Sequence, residues 1–181
     1  VDHSTINRWV IKYSPELENV FQSKKRSVGV RWRMDETYIK VNGQWKYFYR
    51  AVDKEGNTID YLLTAKRDMK AAKRFFTKAI KRNGHPELVN VDKSGSNKAA
   101  LNSINDETEE QIEIRQCKYL NNIIEQDHRN IKRITRSMLG FKNFHAAQKT
   151  LAGIELMKMI KKGQMEGDYL SSAEQFYSLA A

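Results

Sequence analysis

The stretch Trp32-Arg33-Met34-Asp35-Glu36-Thr37-Tyr38-Ile39-Lys40-Val41-Asn42-Gly43 decides how this chain is read. Val30, Trp32 and Met34, then Tyr38 and Ile39, build a strand, and Asn42-Gly43 is a strong signal for a two-residue hairpin turn. In mid-strand stands Asp35. A carboxylate among Trp32, Met34 and Tyr38 is out of place in a core, because burying it unpaired is costly; a bound cation would remove that cost.

Reading onward, Trp45 to Val52 is an aromatic-rich second strand, and Glu55-Gly56-Asn57 turns the chain into a third, Thr58 to Thr64, giving an antiparallel meander. Asp68 caps a helix with Met69, Ala72, Phe76, Ala79 and Ile80 on one face, closed by Asn83-Gly84 and Pro86. A short buried strand, Leu88 to Val91, runs into Asp92. Ser94-Gly95-Ser96-Asn97 starts a helix that ends before the acidic stretch Asn105 to Glu110; a strand from Ile112 to Arg115 and a helix from Asn121 to Ser137 follow. After Gly140 a helix from Ala146 to Ile160 carries Leu151, Ile154, Met157 and Ile160 until Gly163 breaks it. The order βββαβαβα predicts an α/β fold: a five-stranded mixed sheet flanked by helices, with the first and fourth strands side by side, plus a C-terminal helix.

Upstream of the first strand, Ser4 is expected to cap a short helix with Ile6, Trp9, Val10 and Tyr13 toward a core and Thr5, Asn7, Arg8 and Lys12 toward a partner. Pro15 and the run Lys24-Lys25-Arg26-Ser27 read as a linker.

The 181 residues carry 32 Lys and Arg against 22 Asp and Glu, a formal charge of +10, which favours nucleic acid as partner ahead of an anionic membrane surface. No apolar run approaches the roughly 20 residues of a membrane span, and no signal-peptide region opens the chain, so a cytoplasmic protein is expected. The missing initiator Met suggests that the chain begins partway through something larger. Cys117, the single cysteine, excludes an internal disulfide, and the four scattered histidines have no zinc-ligand spacing; any metal must be held by oxygen.

Two-metal phosphoryl transfer needs carboxylates converging on Mg²⁺ ions about 4 Å apart. Asp35 in the first strand, Asp92 at the end of the fourth and Glu125 in the helix after the fifth form such a set. Glu36 competes with Asp35, but adjacent strand residues face opposite ways, so only one of the two is expected at the site.

The strings Trp32 to Tyr38, Val91-Asp92-Lys93-Ser94 and Asn121-Asn122-Ile123-Ile124-Glu125-Gln126-Asp127-His128-Arg129 resemble the three signature blocks of the DDE transposases of insertion sequences, with insertion sequence family six the nearest in pattern. The likeness continues through Leu139-Gly140-Phe141-Lys142 and Lys161-Lys162-Gly163-Gln164. It implies a ribonuclease H-like (integrase) catalytic core that uses two Mg²⁺ ions, with Mn²⁺ as a substitute, to expose the 3′-OH ends of the element and join them to target DNA. Asp35, Asp92 and Glu125 match the catalytic and metal-binding triad. Lys132, two helical turns or about 10 Å beyond Glu125, matches a basic residue assigned to DNA beside the site. His128, Arg129 and Arg133, together with Arg136 and with Asn7 and Arg8 of the N-terminal helix, are further candidate DNA contacts, with capping or packing an equal reading for His128 and a solvated basic face the alternative for Arg129, Arg133 and Arg136.

The resemblance also implies double-stranded DNA as partner (element ends and target), a homodimer or larger assembly, no small-molecule cofactor, no membrane, and a nucleoid-associated place in a bacterial cytoplasm. Residues 93–124 between the second and third acids are slightly fewer than usual, and the shortfall is expected in the surface loop Ser103 to Glu110. The domains read as 1–14, the second helix of a helix-turn-helix; 15–27, a linker; 28–140, the catalytic domain; and 141–181, a helical extension.

Two rival functions are a non-catalytic DNA-binding protein, decayed or regulatory, and a stand-alone nuclease of the same fold. Asp53, Asp60, Asp68, Asp106 and Asp127 read as turn, cap or solvated acids, and Trp32, Trp45, Tyr47 and Tyr49 as core or cross-strand aromatics rather than base-stacking platforms. The eight basic residues against one acidic between Lys66 and Arg82 suit phosphate binding.

Overall fold

A computed structural model of the chain describes residues 1–117, 122–168 and 171–180. It divides into two compact units, Val28–Gly140 and a second made of Val1–Ser27 with Phe141–Ala181.

In the first unit the long hairpin forms as its sequence requires. Strands β1 (Arg31–Val41) and β2 (Gln44–Asp53) pair antiparallel from Trp32↔Asp53 to Val41↔Gln44. Asn42 and Gly43 at the tip both have positive φ, 48° and 73°, as a primed two-residue turn demands. β3 (Thr58–Thr64) completes the meander. Asp53 organises the turn before it: its carboxylate accepts from the backbone N–H of Glu55, Asn57 and Gly29.

Helix α1 (His3–Ser23) belongs to the second unit. In the first, α2 (Met69–Asn83) starts at Asp68, whose side chain accepts from Ala71 N, and Phe75, Phe76 and Ala79 bury its inner face. β4 (Leu88–Val91), α3 (Gly95–Asn105), β5 (Glu113–Gln116) and α4 (Asn122–Ser137) follow. The start of the last helix, expected at Asn121, lies outside the described residues.

The sheet order is β3-β2-β1-β4-β5, with β1–β4 and β4–β5 parallel, so the first and fourth strands are neighbours as expected. Trp32, Met34, Tyr49, Val89 and Val91 form its core with α2 and α3 residues Phe75, Phe76 and Leu101. Helix α4 packs on β1 and β2 with only Ile124, His128 and Ile131 buried. Of the loop where a shortfall was expected, Ser103 to Asn105 still belong to α3.

The second unit corrects the sequence reading of its helix. Helix α1 runs from His3 to Ser23 straight through Pro15, capped by Asp2 rather than Ser4, so residues 15–23 are helix and not linker. Its buried residues are Ser14, Glu18 and Phe21, packed with α5 (Phe144–Lys161) where Gly153 comes against Ser14. Ile6, Trp9 and Tyr13, expected to face a core, are 46%, 50% and 42% exposed. The reason is that the second half of the helix carries the packing, through Ser14, Glu18 and Phe21. A short helix that the sequence reading did not foresee, α6 (Ser172–Tyr177), opens with a capping box between Ser171 and Glu174. No helix of the described residues is long and apolar enough to cross a membrane.

Candidate active site

Parallel pairing of β1 with β4 covers only Arg31, Trp32 and Arg33, and β4 ends at Val91. Beyond that point the edge of β1 is open, and Asp35, Glu36 and Asp92 converge there. Each offers a carboxylate oxygen, and the three oxygens lie within 4.8 Å of one another. The expectation that Glu36 must point away is therefore corrected: the two side chains leave β1 on opposite faces, yet both flank the open end of β4.

Each acid has its own environment. Asp35, on the α4 side, is pushed up to about 7 by burial and by the charge of Glu36, with smaller contributions from Asp92 and Glu125. His128 Nδ1 lies 3.7 Å from its Oδ2. Glu36, on the other side, is raised by burial although Asn97 Nδ2 and Arg67 hydrogen-bond it at 3.0 Å and 3.4 Å. Burial also pushes Asp92 up, but hydrogen bonds from Ser94 and Asn97 and the Arg67 guanidinium outweigh it and hold Asp92 below the ordinary range.

Arg67 and Asn97 tie the cluster together. Arg67 Nη2 donates to Asp92 Oδ2 at 2.8 Å and to Glu36 Oε2 at 3.3 Å, while Asn97, fully buried at the start of α3, donates to both acids. Neither residue was singled out as a site residue from sequence. The available signal was their position, each close in sequence to an element end that borders the acids.

Glu125, in the first turn of α4, is exposed and outside the 4.8 Å cluster, though its charge acts on Asp35. His128, which the sequence left between a contact in the site and a packing role, is buried against Asp35, because it shares the inner face of α4 with Ile124 and Ile131. Arg129, Lys132 and Arg133 are exposed on the outer face and line a groove with Arg136 and Ser137. Asn7 and Arg8 are exposed on α1 in the other unit.

Two acids read as solvated are buried ion-pair partners. Asp60 binds Lys78 at 2.7 Å with Arg82 at 3.6 Å, and Asp127 binds Arg50 at 2.5 Å. With Lys73 bound to Glu107, much of the basic face of α2 neutralises acids within the unit rather than facing an external phosphate. Trp32 and Tyr49 are core; Trp45 packs edge-on against Tyr38.

Oxygen-only donors from β1 and the end of β4, with an excess of negative charge, suit a hard divalent cation. The donor set thus fits the metal that the sequence pattern implied.

The chain matches the family model described as the DDE domain, of the IS240 transposase type, over residues 29–164. It is 41% identical over 164 residues, covering 90% of this chain and 71% of the relative, to the transposase for insertion sequence-like element IS431mec of Staphylococcus aureus. The same identity and coverage hold for the S. aureus transposase for insertion sequence element IS257 in transposon Tn4003. Among solved structures, the catalytic core domain of BIV integrase superposes with a TM-score of 0.52 at 15% identity, covering 83% of this chain and 95% of that one. The HTLV-2 integrase catalytic core in complex with magnesium gives 0.51 at 17% identity, covering 71% and 86%. These two establish the fold, an integrase-type ribonuclease H-like core. With the family match over most of the chain and 41% identity to transposases of which it covers 71%, the chain belongs to the DDE transposases of insertion sequences, enzymes of the polynucleotidyl transferase class.

Proposed function

We propose that this transposase cleaves the 3′ ends of its insertion sequence and joins them to target DNA in a reaction dependent on two Mg²⁺ ions, for which Mn²⁺ substitutes. The observation that carries the reading is the convergence of Asp35 and Asp92 at the open end of β4, with the charge of Glu125 acting on Asp35. In this reading Asp35, Asp92 and Glu125 would hold the ions. Bound there, the metal would polarise the scissile phosphate and activate the attacking hydroxyl. Asp92 is the acid held ionised, by Arg67, Asn97 and Ser94, and so is ready to bind. Asp35 gives up its proton on binding. Arg67 and Asn97 keep Glu36 and Asp92 in one orientation.

No covalent enzyme–DNA link is required, since water and then the 3′-OH act as nucleophiles. Double-stranded DNA runs along Arg129, Lys132 and Arg133, with Asn7 and Arg8 making contacts elsewhere on it. Two ends must be held together, so the working form is a homodimer or larger assembly, in the bacterial cytoplasm on the nucleoid.

The test is strand transfer of a pre-cleaved duplex bearing an element end into a supercoiled target, in Mg²⁺ and in EDTA, for the wild type and Glu125→Gln. Joined product that requires both the metal and Glu125 is expected. DNA binding without joining would replace this reading by a non-catalytic one, and cutting of any duplex without joining by a nuclease.

A further inference from the structure

Helix α4 carries Glu125, whose charge acts on Asp35, but the buried strip of the helix is narrow: Ile124, His128 and Ile131. Such a strip leaves rotation of the helix about its axis weakly constrained, because rolling it slightly exchanges one apolar contact for another. At about 100° per residue, Glu125 and Asp127 fall on opposite flanks of that strip, with His128 between them.

The sheet beneath shows a matching sequence of partners. Arg50, in β2, stands directly opposite Asp35 of β1 in the antiparallel register and has no exposed surface. Its Nη2 donates to Asp127 Oδ2 at 2.5 Å. Moving across the strands, Asp127 meets Arg50 on β2 and His128 meets Asp35 on β1, which directs the Glu125 flank toward β4 and Asp92.

We propose that Arg50 and Asp127 are a positioning pair that sets the roll of α4 and thereby aims Glu125 at the metal site. The inference rests on the reading of Glu125 as a metal ligand. Energetics favour a geometric role: desolvating a guanidinium and a carboxylate is costly, and apolar residues of similar volume often hold a fold as well or better than a buried ion pair. What apolar residues lack is direction. A guanidinium fixed in a strand donates to its carboxylate over only a narrow range of angles, so the pair defines one helix orientation where packing permits several.

The experiment is Mn²⁺ binding, followed by electron paramagnetic resonance, to the wild type, Glu125→Gln, Asp127→Asn, the double variant Arg50→Met/Asp127→Leu, and that double variant carrying Glu125→Gln. The apolar pair guards against simple unfolding and is first checked by circular dichroism and thermal unfolding. Glu125→Gln is expected to weaken Mn²⁺ binding about tenfold, within the range seen when a metal site loses a supporting group. Asp127→Asn and the folded Met/Leu variant should lose a similar factor, and adding Glu125→Gln to the latter should cost nothing more. Wild-type Mn²⁺ affinity in the Met/Leu variant, or a loss that adds fully to that of Glu125→Gln, would overturn the positioning role while leaving Glu125 a ligand. Unchanged affinity in Glu125→Gln itself would overturn the ligand reading and the proposal with it.

Discussion

Arg67 Nη2 lies 2.8 Å from Asp92 Oδ2, so a protein cation already rests against one of the oxygens that converge with those of Asp35 and Glu36. The guanidinium partly neutralises a cluster that would otherwise repel itself, and a divalent ion would act on the same charge.

Arg67→Ala should therefore lower stability in EDTA by about 1 kcal/mol, a modest figure because both partners are about a third exposed and solvent screens them. The melting temperature should then rise more on adding Mn²⁺ in the variant than in the wild type. Equal rises in the two proteins would show that Arg67 does not share the charge the ion sees.

Metal binding should depend on pH through Asp35. Its carboxyl is raised to about 7 in the folded chain, so below that value it is largely protonated and must release a proton to bind an ion. Mn²⁺ affinity should climb from pH 6 to pH 7 and then level. The metal-free fold should behave in the opposite sense: with the folded value above the unfolded one, the native state holds the extra proton, and stability falls as pH rises from the ordinary carboxyl range to about 7. Denaturant titrations across that window should show the fall in the wild type and lose it in Asp35→Asn.

Asp35→Asn should also reduce strand transfer to background while leaving affinity for an element-end duplex near wild type, because in the proposed function Asp35 holds the metal and makes no phosphate contact. Normal cutting by this variant in a Mg²⁺ assay would remove Asp35 from the site.

Lys132→Ala should weaken binding to all duplexes alike and reduce the slope of log K against log salt by about 0.9, the value for one phosphate contact on B-form DNA. An unchanged slope in a filter-binding series would mean that the groove of Arg129, Lys132, Arg133 and Arg136 faces something other than the backbone of DNA.

Gly140 has φ of +96°, and a Cβ there would sit 3.0 Å from the carbonyl oxygen of Lys40. Gly140→Ala combines backbone strain with that close approach and should destabilise by about 1–3 kcal/mol, read from the denaturation midpoint. A midpoint equal to the wild type would show that the chain after α4 rearranges freely.

Local signals explain why so much of the catalytic unit was legible beforehand. Asn42-Gly43 permits the positive φ angles that close the β1–β2 hairpin, Asp68 offers a cap in front of an amphipathic run, and Leu88, Val89 and Val91 are apolar because β4 is buried along its length. The order of the elements then made β1 and β4 neighbours, which brings Asp35 to Asp92.

Contacts between distant residues were beyond such signals. Strand alternation sends Asp35 and Glu36 to opposite faces, and only the early end of β4 lets their carboxylates meet. Asp127 read as a solvated acid, and nothing in the sequence singled out Arg50; their pairing follows from where α4 comes down on β2. Likewise the Ile6–Trp9–Tyr13 stripe has the period of a core face, yet Ser14, Glu18 and Phe21 take the packing with α5. Periodicity and turn chemistry act over a few residues and are written in the sequence; which charged groups are desolvated together depends on the meeting of elements far apart in the chain, and that was decided by the tertiary structure alone.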